Sequence, residues 1–449
     1  PTGASGHPAA DARSTEGGAS GDRSASGTTP LWFSRLAFGT AWLILAVGTA
    51  SLALGAVGLL SPAALVPAAI ALSACGIPLL VRLPDPGRQN RGAHLGATLA
   101  LLVCIAAGVW ASVDPSTPVL IERDPGSYTT TAKWLSEGNS LWVREPLAAF
   151  GDNPAIEAQS AAVFEVGRDL EFQFMHLPAA FPAALATLGG DSLLFVANGW
   201  VAAAGLLALY AVAVRVTRKP LLSLVVPCAL ALSLPWVAVA RDVFSEPFAM
   251  LFLWTSVWLI HEVITRPSRL AMASAAGVFA GATALVRVDS FLYLAVLAVL
   301  GALWVVSASD DERPARSEAF RAGGLAAAGV TLLALVDLFV ASSTYARIIN
   351  RNLTMLLVLL LGSAVASGLA VRHAATLKRI GARLVPLRRT AAWAGTALVA
   401  MILLYLGVLR PAMTPMDGTG LELRSQLWAR SMHWMYWYLG GLTLALSVV

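Results

Sequence analysis

The sequence predicts an all-α protein built as a bundle of membrane-spanning helices. Hydrophobic residues make up 57% of the chain and charged residues only 13%, and the mean hydropathy is +0.70. From Leu31 onward, apolar runs of about 20 residues follow one another, which is the length that crosses a hydrocarbon core of about 30 Å. Each run is expected to be helical because backbone polar groups find no water in lipid.

The apolar runs predict eleven complete spans and part of a twelfth. They lie near residues 37–60, 62–82, 93–113, 193–214, 221–240, 248–265, 270–286, 291–308, 323–343, 353–371 and 390–409. The twelfth begins near residue 435 and the chain stops within it, so we expect a truncated C-terminus. Residues 1–30 are mostly small and polar and have little to bury, which predicts a disordered tail.

The basic residues predict how the bundle is oriented. Lys and Arg cluster in alternate loops, as cytoplasmic loops do. This pattern places the N-terminal tail in the cytoplasm and the loop at 114–192 on the external face. It also accounts for the net charge of +5, so no nucleic-acid partner is predicted. Arg far outnumbers Lys in a chain rich in Ala and Val, which favours a GC-rich bacterial source and hence a bacterial plasma membrane.

The stretch "IERDPGSYTTTAKWLSEGNSLW" (121–142) opens the external loop with charged residues. Asp124 followed by Pro125 predicts a helix start, with a side-chain acceptor at the N-cap and Pro at the first helical position. Gly138 fits the left-handed residue that follows a helix. The residues that fall at helical spacing on one apolar stripe are Tyr128, Ala132 and Leu135. We therefore expect an amphipathic helix on the external membrane surface.

Three segments together resemble the polytopic glycosyltransferases of the GT-C superfamily. These segments are "ERDPGSYTTTAKWL", "ARDVFSEPFAMLFLW" and "GATALVRVDSFLYL", and the similarity covers roughly residues 93–300. The superfamily includes protein O-mannosyltransferases, aminoarabinose transferases and arabinofuranosyltransferases. The resemblance implies a GT-C-like helix bundle that transfers a sugar.

An external glycosyltransferase needs a donor that has crossed the membrane, because nucleotide sugars are cytoplasmic. A polyprenyl-phosphate sugar meets this need, and a cell-envelope glycan, lipid or protein is the expected acceptor. The site must supply a base for the acceptor hydroxyl and positive charge for the departing phosphate. We assign Asp124 as the base and Glu122 as the residue that tunes it or binds the acceptor. Arg241 and Arg287 are the candidate phosphate ligands, and in-line attack inverts the anomeric centre.

The remaining candidates are substrate-binding residues, each with a structural alternative. They are Glu246, Asp289, His176 and Tyr128. Glu246 also fits an ordinary helix start, Arg287 and Asp289 also fit an interfacial salt bridge, and Asp124 also fits a simple cap. His176 also fits a structural role.

No cofactor is required by this chemistry. A divalent cation shared by Glu122, Asp124 and Glu246 is a minor option, since Mg²⁺ and Ca²⁺ bind carboxylates. The competing class is a transporter or lipid flippase, whose mark is an ionisable residue inside the membrane; Asp337 is the clearest example. A third class, a non-catalytic scaffold, predicts that the external acids are replaceable.

Overall fold

The computed structural model describes residues 29–405, apart from 86–89, 119–123, 147, 149–150, 152–159, 161 and 384–387. The elements up to residue 217 are helices except for one hairpin. They are α1 (Leu31–Ala56), α2 (Pro62–Ala74), α3 (Ile77–Val81), α4 (Arg91–Val113), α5 (Asp124–Gly138), β1 (Val163–Val166), β2 (Asp169–Phe172), α6 (Leu177–Gly189) and α7 (Asp191–Thr217).

The second half of the described chain contains helices and no strand, and one helix ends in a π-helical turn. The elements are α8 (Val225–Ala231), α9 (Leu234–Arg241), α10 (Glu246–Thr265), α11 (Leu270–Ala284), α12 (Ser290–Val306), α13 (Arg313–Val336), a π-helical turn (Asp337–Ala341), α14 (Ser343–Ile348), α15 (Asn350–Arg372), α16 (Ala374–Arg383) and α17 (Arg388–Leu404). The all-α class is confirmed.

The count of eleven complete spans is not confirmed. Among the described residues, seven helices are long and apolar enough to cross a membrane, and an eighth span is available if the pair at 222–231 and 234–241, bent by 61°, counts as one. Two predicted spans correspond to α11 and α12, which have only 15 and 17 residues. The polar turn at 285–289 joins the end of α11 to the start of α12. The twelfth predicted span lies outside the described residues.

The last two residues of the predicted disordered tail are described, and they are packed. Thr29 is buried, and its hydroxyl shares a hydrogen bond of 2.8 Å with Ser34. Arg215 also donates to it from α7. Thr29 and Pro30 therefore belong to the packed bundle rather than to a disordered tail, and the rest of the predicted tail lies outside the described residues.

The helices pack closely through small residues and a row of aromatic rings. Gly277 of α11 faces the backbone of α13 at Gly323, where a Cβ would have no room. Small residues of this kind let membrane helices approach each other. The aromatic residues Phe248 and Phe252 of α10 and Phe279 of α11 are fully buried and lie in ring contact along the core.

The segment at 114–192 contains more structure than the single surface helix that we predicted. Helix α5 begins at Asp124, one residue before the predicted first helical position at Pro125. Its stripe is buried, and Tyr128, Ala132 and Leu135 pack in one cluster with α6. The left-handed residue that follows is Asn139, at a φ of 60°, rather than Gly138. The hairpin of β1 and β2 pairs Val163 with Phe172 and was not predicted.

The chain after the hairpin enters the bundle and meets the end of α13. Residues 171–176 contact the π-helical turn and the start of α14 through hydrogen bonds at Glu171, Phe174 and His176. Helix α6 starts directly afterwards at Leu177. This meeting of two distant segments forms one wall of the cavity described next.

Candidate functional site

A polar cavity of about 200 Å³ lies at one end of the bundle, which we call the cavity end. Its lining residues come from five separate parts of the chain. They are Asp124, Tyr128, Phe174, Met175, Ser245, Val286, Arg287, Val288, Asp289 and Tyr345. Four sequence-predicted site residues are thus brought together in one cavity.

The cavity is built where helices begin or end. Asp124 opens α5, Ser245 immediately precedes α10, and Tyr345 lies in α14. Arg287 and Asp289 occupy the turn between α11 and α12. Helix ends leave backbone groups unpaired and favour polar side chains, which explains why an otherwise apolar chain concentrates its charge here.

Arg287 is the centre of the hydrogen-bond network in the cavity. Its Nε donates to Asp289 Oδ1 at 2.9 Å and one Nη2 N–H to Asp289 Oδ2 at 3.2 Å. Its Nη1 donates to Ser245 Oγ at 3.1 Å and to Glu246 Oε1. A guanidinium has five N–H groups, so one Nη2 N–H has no partner among the described residues. The predicted pairing of Arg287 with Asp289 is confirmed.

The carboxylates keep Arg287 charged despite its partial burial. Burial alone lowers the pKa of this guanidinium, but the hydrogen bond with Asp289 and the negative charges of Glu246 and Asp289 outweigh it and raise the pKa. A permanent cation is therefore fixed in the cavity wall. Its side chain is 29% exposed, so it remains within reach of a ligand.

Glu246 starts a helix and also belongs to the Arg287 network. Helix α10 begins at Glu246 with Pro247 in its first turn, so the predicted helix start is confirmed. Ser245 does not cap this helix with its side chain. Its hydroxyl instead accepts from Arg287 and donates to Glu246 Oε2 at 3.3 Å. The second role of Glu246 is thus to hold Arg287 from the side of α10.

Three aromatic rings that line the cavity contact one another and form what we call the aromatic wall. Phe174 stacks on Tyr128, with ring centroids 5.2 Å apart, and meets Tyr345 edge-on at 5.3 Å. Burial is the main reason that the pKa of each tyrosine is raised, and the charge of Asp124 adds to it in both. Both phenols therefore stay protonated around neutral pH and remain hydrogen-bond donors.

His176 does not line the cavity, although Phe174 and Met175 do. It is 1% exposed, and Asp337 binds it twice. Asp337 Oδ2 accepts from the His176 backbone N–H at 3.0 Å, and Oδ1 lies 2.8 Å from Nδ1. His176 is therefore placed as a structural residue would be, and Asp337 has a partner inside the bundle.

The second predicted phosphate ligand, Arg241, lies elsewhere. Its guanidinium stacks over Trp110 at 5.3 Å and lies 4.0 Å from Asp114. Asp242, whose backbone is extended, follows Arg241 in the chain. Because its contacts are with Trp110 and Asp114, the Arg241 side chain faces the end of α4. Glu122 lies outside the described residues. No group of three or more His, Cys, Asp or Glu able to hold a metal ion is found in the described part of the chain.

An apolar cleft lies next to the polar cavity along the chain. It measures about 260 Å³ and is formed by α1, the α2–α3 region, α11 and α13. Its lining residues are Trp42, Leu45, Ala46, Thr49, Leu72, Cys75, Val278, Leu285, Val330 and Leu333. Leu285 lines the cleft and its chain neighbour Val286 lines the polar cavity, so the backbone after α11 lies between the two spaces.

Sequence reasoning did not identify several cavity residues. Phe174 and Tyr345 were missed because each lies in an apolar or mixed segment with no charged motif. Tyr345 directly precedes the polar segment at 346–352, so its neighbourhood was the available signal. Comparison of the chain with protein-family models, curated proteins and solved structures finds no match. Function is therefore inferred from the site's own chemistry.

Proposed function

We propose that this protein is a membrane glycosyltransferase of the GT-C kind that moves a sugar from a polyprenyl-phosphate donor to a cell-envelope acceptor. The observation that carries the proposal is the cavity itself, where the carboxylate of Asp124 and the guanidinium of Arg287 line one space beside an apolar cleft. A lipid-linked sugar phosphate has the matching chemistry: a neutral polar ring, an anion and an apolar tail.

Asp124 acts as the general base in this proposal. Its carboxylate takes the proton of the acceptor hydroxyl as that oxygen forms a bond with the anomeric carbon. The bond from the anomeric carbon to the phosphate oxygen breaks at the same time, and the configuration inverts. General base catalysis of this kind contributes about 10²–10⁴-fold to a rate.

Arg287 stabilises the phosphate that leaves. Its remaining Nη2 N–H is available to a phosphate oxygen, and its charge is fixed by the carboxylates around it. A preorganised donor aimed at developing negative charge is worth about 10²–10³-fold. Glu246, Ser245 and Asp289 hold the guanidinium in place, and Asp289 is half exposed and faces the cavity.

The aromatic wall and the apolar cleft bind the rest of the donor. Tyr128 and Tyr345 offer protonated phenols to sugar hydroxyls, and Phe174 offers a flat face to the ring. The polyprenyl chain lies in the apolar cleft that Leu285 lines. We place this end of the bundle on the external face of a bacterial plasma membrane, because the loops that form it are those that the distribution of Lys and Arg assigns to the outside.

The test measures sugar transfer from labelled polyprenyl-phosphate sugars by the chain reconstituted in liposomes, as wild type and as Asp124→Asn. Asn has nearly the same size and shape as Asp and keeps one side-chain oxygen, so the fold is expected to persist. Asp191→Asn is the matched control, since Asp191 is also an acid in the first turn of a helix but lies outside the cavity lining.

Transfer by wild type and by Asp191→Asn, with a loss of about 10²-fold or more in Asp124→Asn, supports the proposal. Equal transfer by all three removes Asp124 as the base. If wild type transfers no sugar from a panel of pentose and hexose donors, the proposal fails. The alternative, a transporter that uses Asp337, then gains weight, because a buried acid beside an imidazole suits a proton relay.

A further inference from the structure

The aromatic wall of the cavity is held from behind by two buried acids that do not touch the cavity. Asp337 and Glu171 are 8% and 4% exposed. Neither lines the cavity. Each binds a residue next to one that does, so each fixes the wall through its neighbours.

Asp337 holds the chain segment that carries Phe174 and Met175. Its two oxygens receive the backbone N–H and the ring Nδ1 of His176, which immediately follows Met175. One hydrogen bond joins Oδ1 to Nδ1 and the other joins Oδ2 to the backbone N–H, so Asp337 holds this segment at two points. Ser342, at the end of the same π-helical turn, donates its hydroxyl to the carbonyl of Phe174.

Glu171 holds the segment that carries Tyr345. Its carboxylate accepts from the backbone N–H groups of Ser343 and Thr344 and from the Ser343 hydroxyl at 3.3 Å. These groups form the first turn of α14, so the acid fixes the start of the helix on which Tyr345 lies. Each segment therefore holds the other. Asp337 of the π-helical turn fixes the segment that carries Phe174, and Glu171 of β2 fixes the segment that carries Tyr345.

Two features indicate that these hydrogen bonds position the aromatic wall and do not only stabilise the helix bundle. Phe174 has a φ of +75°, a strained backbone for a bulky residue that persists only where the surroundings enforce it. The turn at Asp337 is π-helical, and such turns are rare and concentrate at functional sites. Burying a carboxyl group is also costly unless its oxygens have hydrogen-bond partners. Each oxygen of Asp337 and of Glu171 has such a partner.

We propose that Asp337 and Glu171 are positioning residues that set the Phe174 and Tyr345 wall at the distance from Asp124 and Arg287 that a sugar ring requires. Their hydrogen bonds orient the segments that carry the two rings. This inference rests on the proposed glycosyl transfer for its kinetic consequence, but its structural consequence is measurable without any substrate.

The first test measures the closure of the wall directly. Met175 lines the cavity yet is 1% exposed. Met175→Cys is placed in a chain whose Cys75, Cys104 and Cys228 are changed to Ala, and the rate of modification by a water-soluble maleimide is followed in liposomes. We expect Asp337→Ala to speed modification by about tenfold or more, because two buried hydrogen bonds that close the wall are lost.

Conservative variants separate positioning from general stability. Asp337→Asn keeps one acceptor and should give a rate between those of wild type and Asp337→Ala. His176→Asn keeps a donor near the position of Nδ1 and should stay close to wild type, whereas His176→Leu should resemble Asp337→Ala. Glu262→Gln is the control, since Glu262 is also a buried, paired acid but lies at the far end of α10.

The second test measures transfer by the same variants. Asp337→Ala should lower kcat by about 10²-fold, the effect of a misplacement of about 1 Å, and raise KM much less. Combined with Phe174→Ala, it should add little further loss, because both changes remove the same wall.

An unchanged modification rate in Asp337→Ala overturns the inference, as does an equal increase in Glu262→Gln. If modification accelerates as expected but wild type transfers no sugar, the positioning role stands and the proposed function fails. Additive losses in the Asp337 and Phe174 double variant also contradict the inference, because they show that Asp337 acts by another route.

Discussion

The two ends of the bundle both contain an arginine paired with a glutamate, and the pairs differ in what surrounds them. Arg287 and Glu246 lie at the cavity end. Arg215 and Glu262 lie at the other end of α7 and α10, about 24 Å away for the 16 residues from Glu246 to Glu262 at about 1.5 Å each. The first pair is partly exposed, whereas the side chain of Arg215 is 3% exposed.

The pair at the far end is buried, although Arg215 makes four hydrogen bonds, as many as Arg287, and its second Nη2 N–H also has no partner among the described residues. Arg215 Nε donates to Glu262 Oε1 at 2.7 Å, and Nη1 donates to the carbonyl of Ala211 at 2.8 Å and to Thr29. Its guanidinium lies 5.3 Å from the ring centroid of Trp258. Arg287 differs in its exposure, since its side chain is 29% exposed and lines the cavity. The same two residue types therefore stabilise the fold at one end and are available to a ligand at the other.

The largest expected effect is on stability, at the far end. Arg215→Ala leaves Glu262 buried without its cation, which costs about 3–5 kcal/mol in comparable cases. We expect a marked fall in folded yield and in the thermal midpoint in detergent, with transfer per folded molecule unchanged. A variant with a wild-type midpoint contradicts the structural role of the pair.

The next effect is on activity, at the cavity end. Arg287→Ala should lower transfer by about 10²–10³-fold, since the departing phosphate loses its cation. Glu246 and Asp289 are about half exposed, so they are solvated after the change and the thermal midpoint should fall little. Arg168→Ala, at an exposed arginine outside the cavity lining, is the control and should leave transfer as it is.

A double replacement sharpens the contrast. Arg215→Met with Glu262→Leu removes both buried charges, and such changes are often neutral or stabilising, so the thermal midpoint should recover from its value in Arg215→Ala. Arg287→Met with Glu246→Leu should not recover transfer. Recovery of transfer by the second double variant indicates that the cavity pair is only structural.

A smaller effect is expected at the aromatic wall. Tyr128→Phe removes one phenol hydrogen bond, worth about 1 kcal/mol, and should raise KM by about fivefold while the ring contact with Phe174 persists. Burial raises the pKa of Tyr128, so the phenol stays protonated and the ratio of KM values should be constant from about pH 6 to pH 9. A ratio that falls as pH rises contradicts the assignment.

The smallest effect is expected at Asp242, an acid at the cavity end that does not line the cavity. Burial is the main cause that raises its pKa, so the folded state holds this proton more tightly than the unfolded state. Wild type therefore loses stability as pH rises through that window. Asp242→Asn keeps the acceptor for the Val243 N–H and should be slightly more stable than wild type at neutral pH, with the difference vanishing in acid. The thermal midpoint at both pH values measures this.

The sequence alone determined the features that depend on neighbouring residues. Hydropathy and the cost of unpaired backbone in lipid required helices, and they located most of the long ones. Asp124 with Pro125 located the start of α5, and helical spacing identified its buried stripe of Tyr128, Ala132 and Leu135. Acids and arginines at helix ends marked three residues that line the cavity, Asp124, Arg287 and Asp289.

Only the tertiary structure decided which distant residues become partners. Asp337 and His176 are 161 positions apart, and no local pattern relates them, so the sequence could offer Asp337 only as a lone acid. Arg241 and Arg287 have the same local character, yet one stacks on Trp110 and the other lines the cavity. Hydropathy and periodicity describe how one helix meets its surroundings, whereas the choice of a partner depends on how helices pack together, which a single segment does not encode.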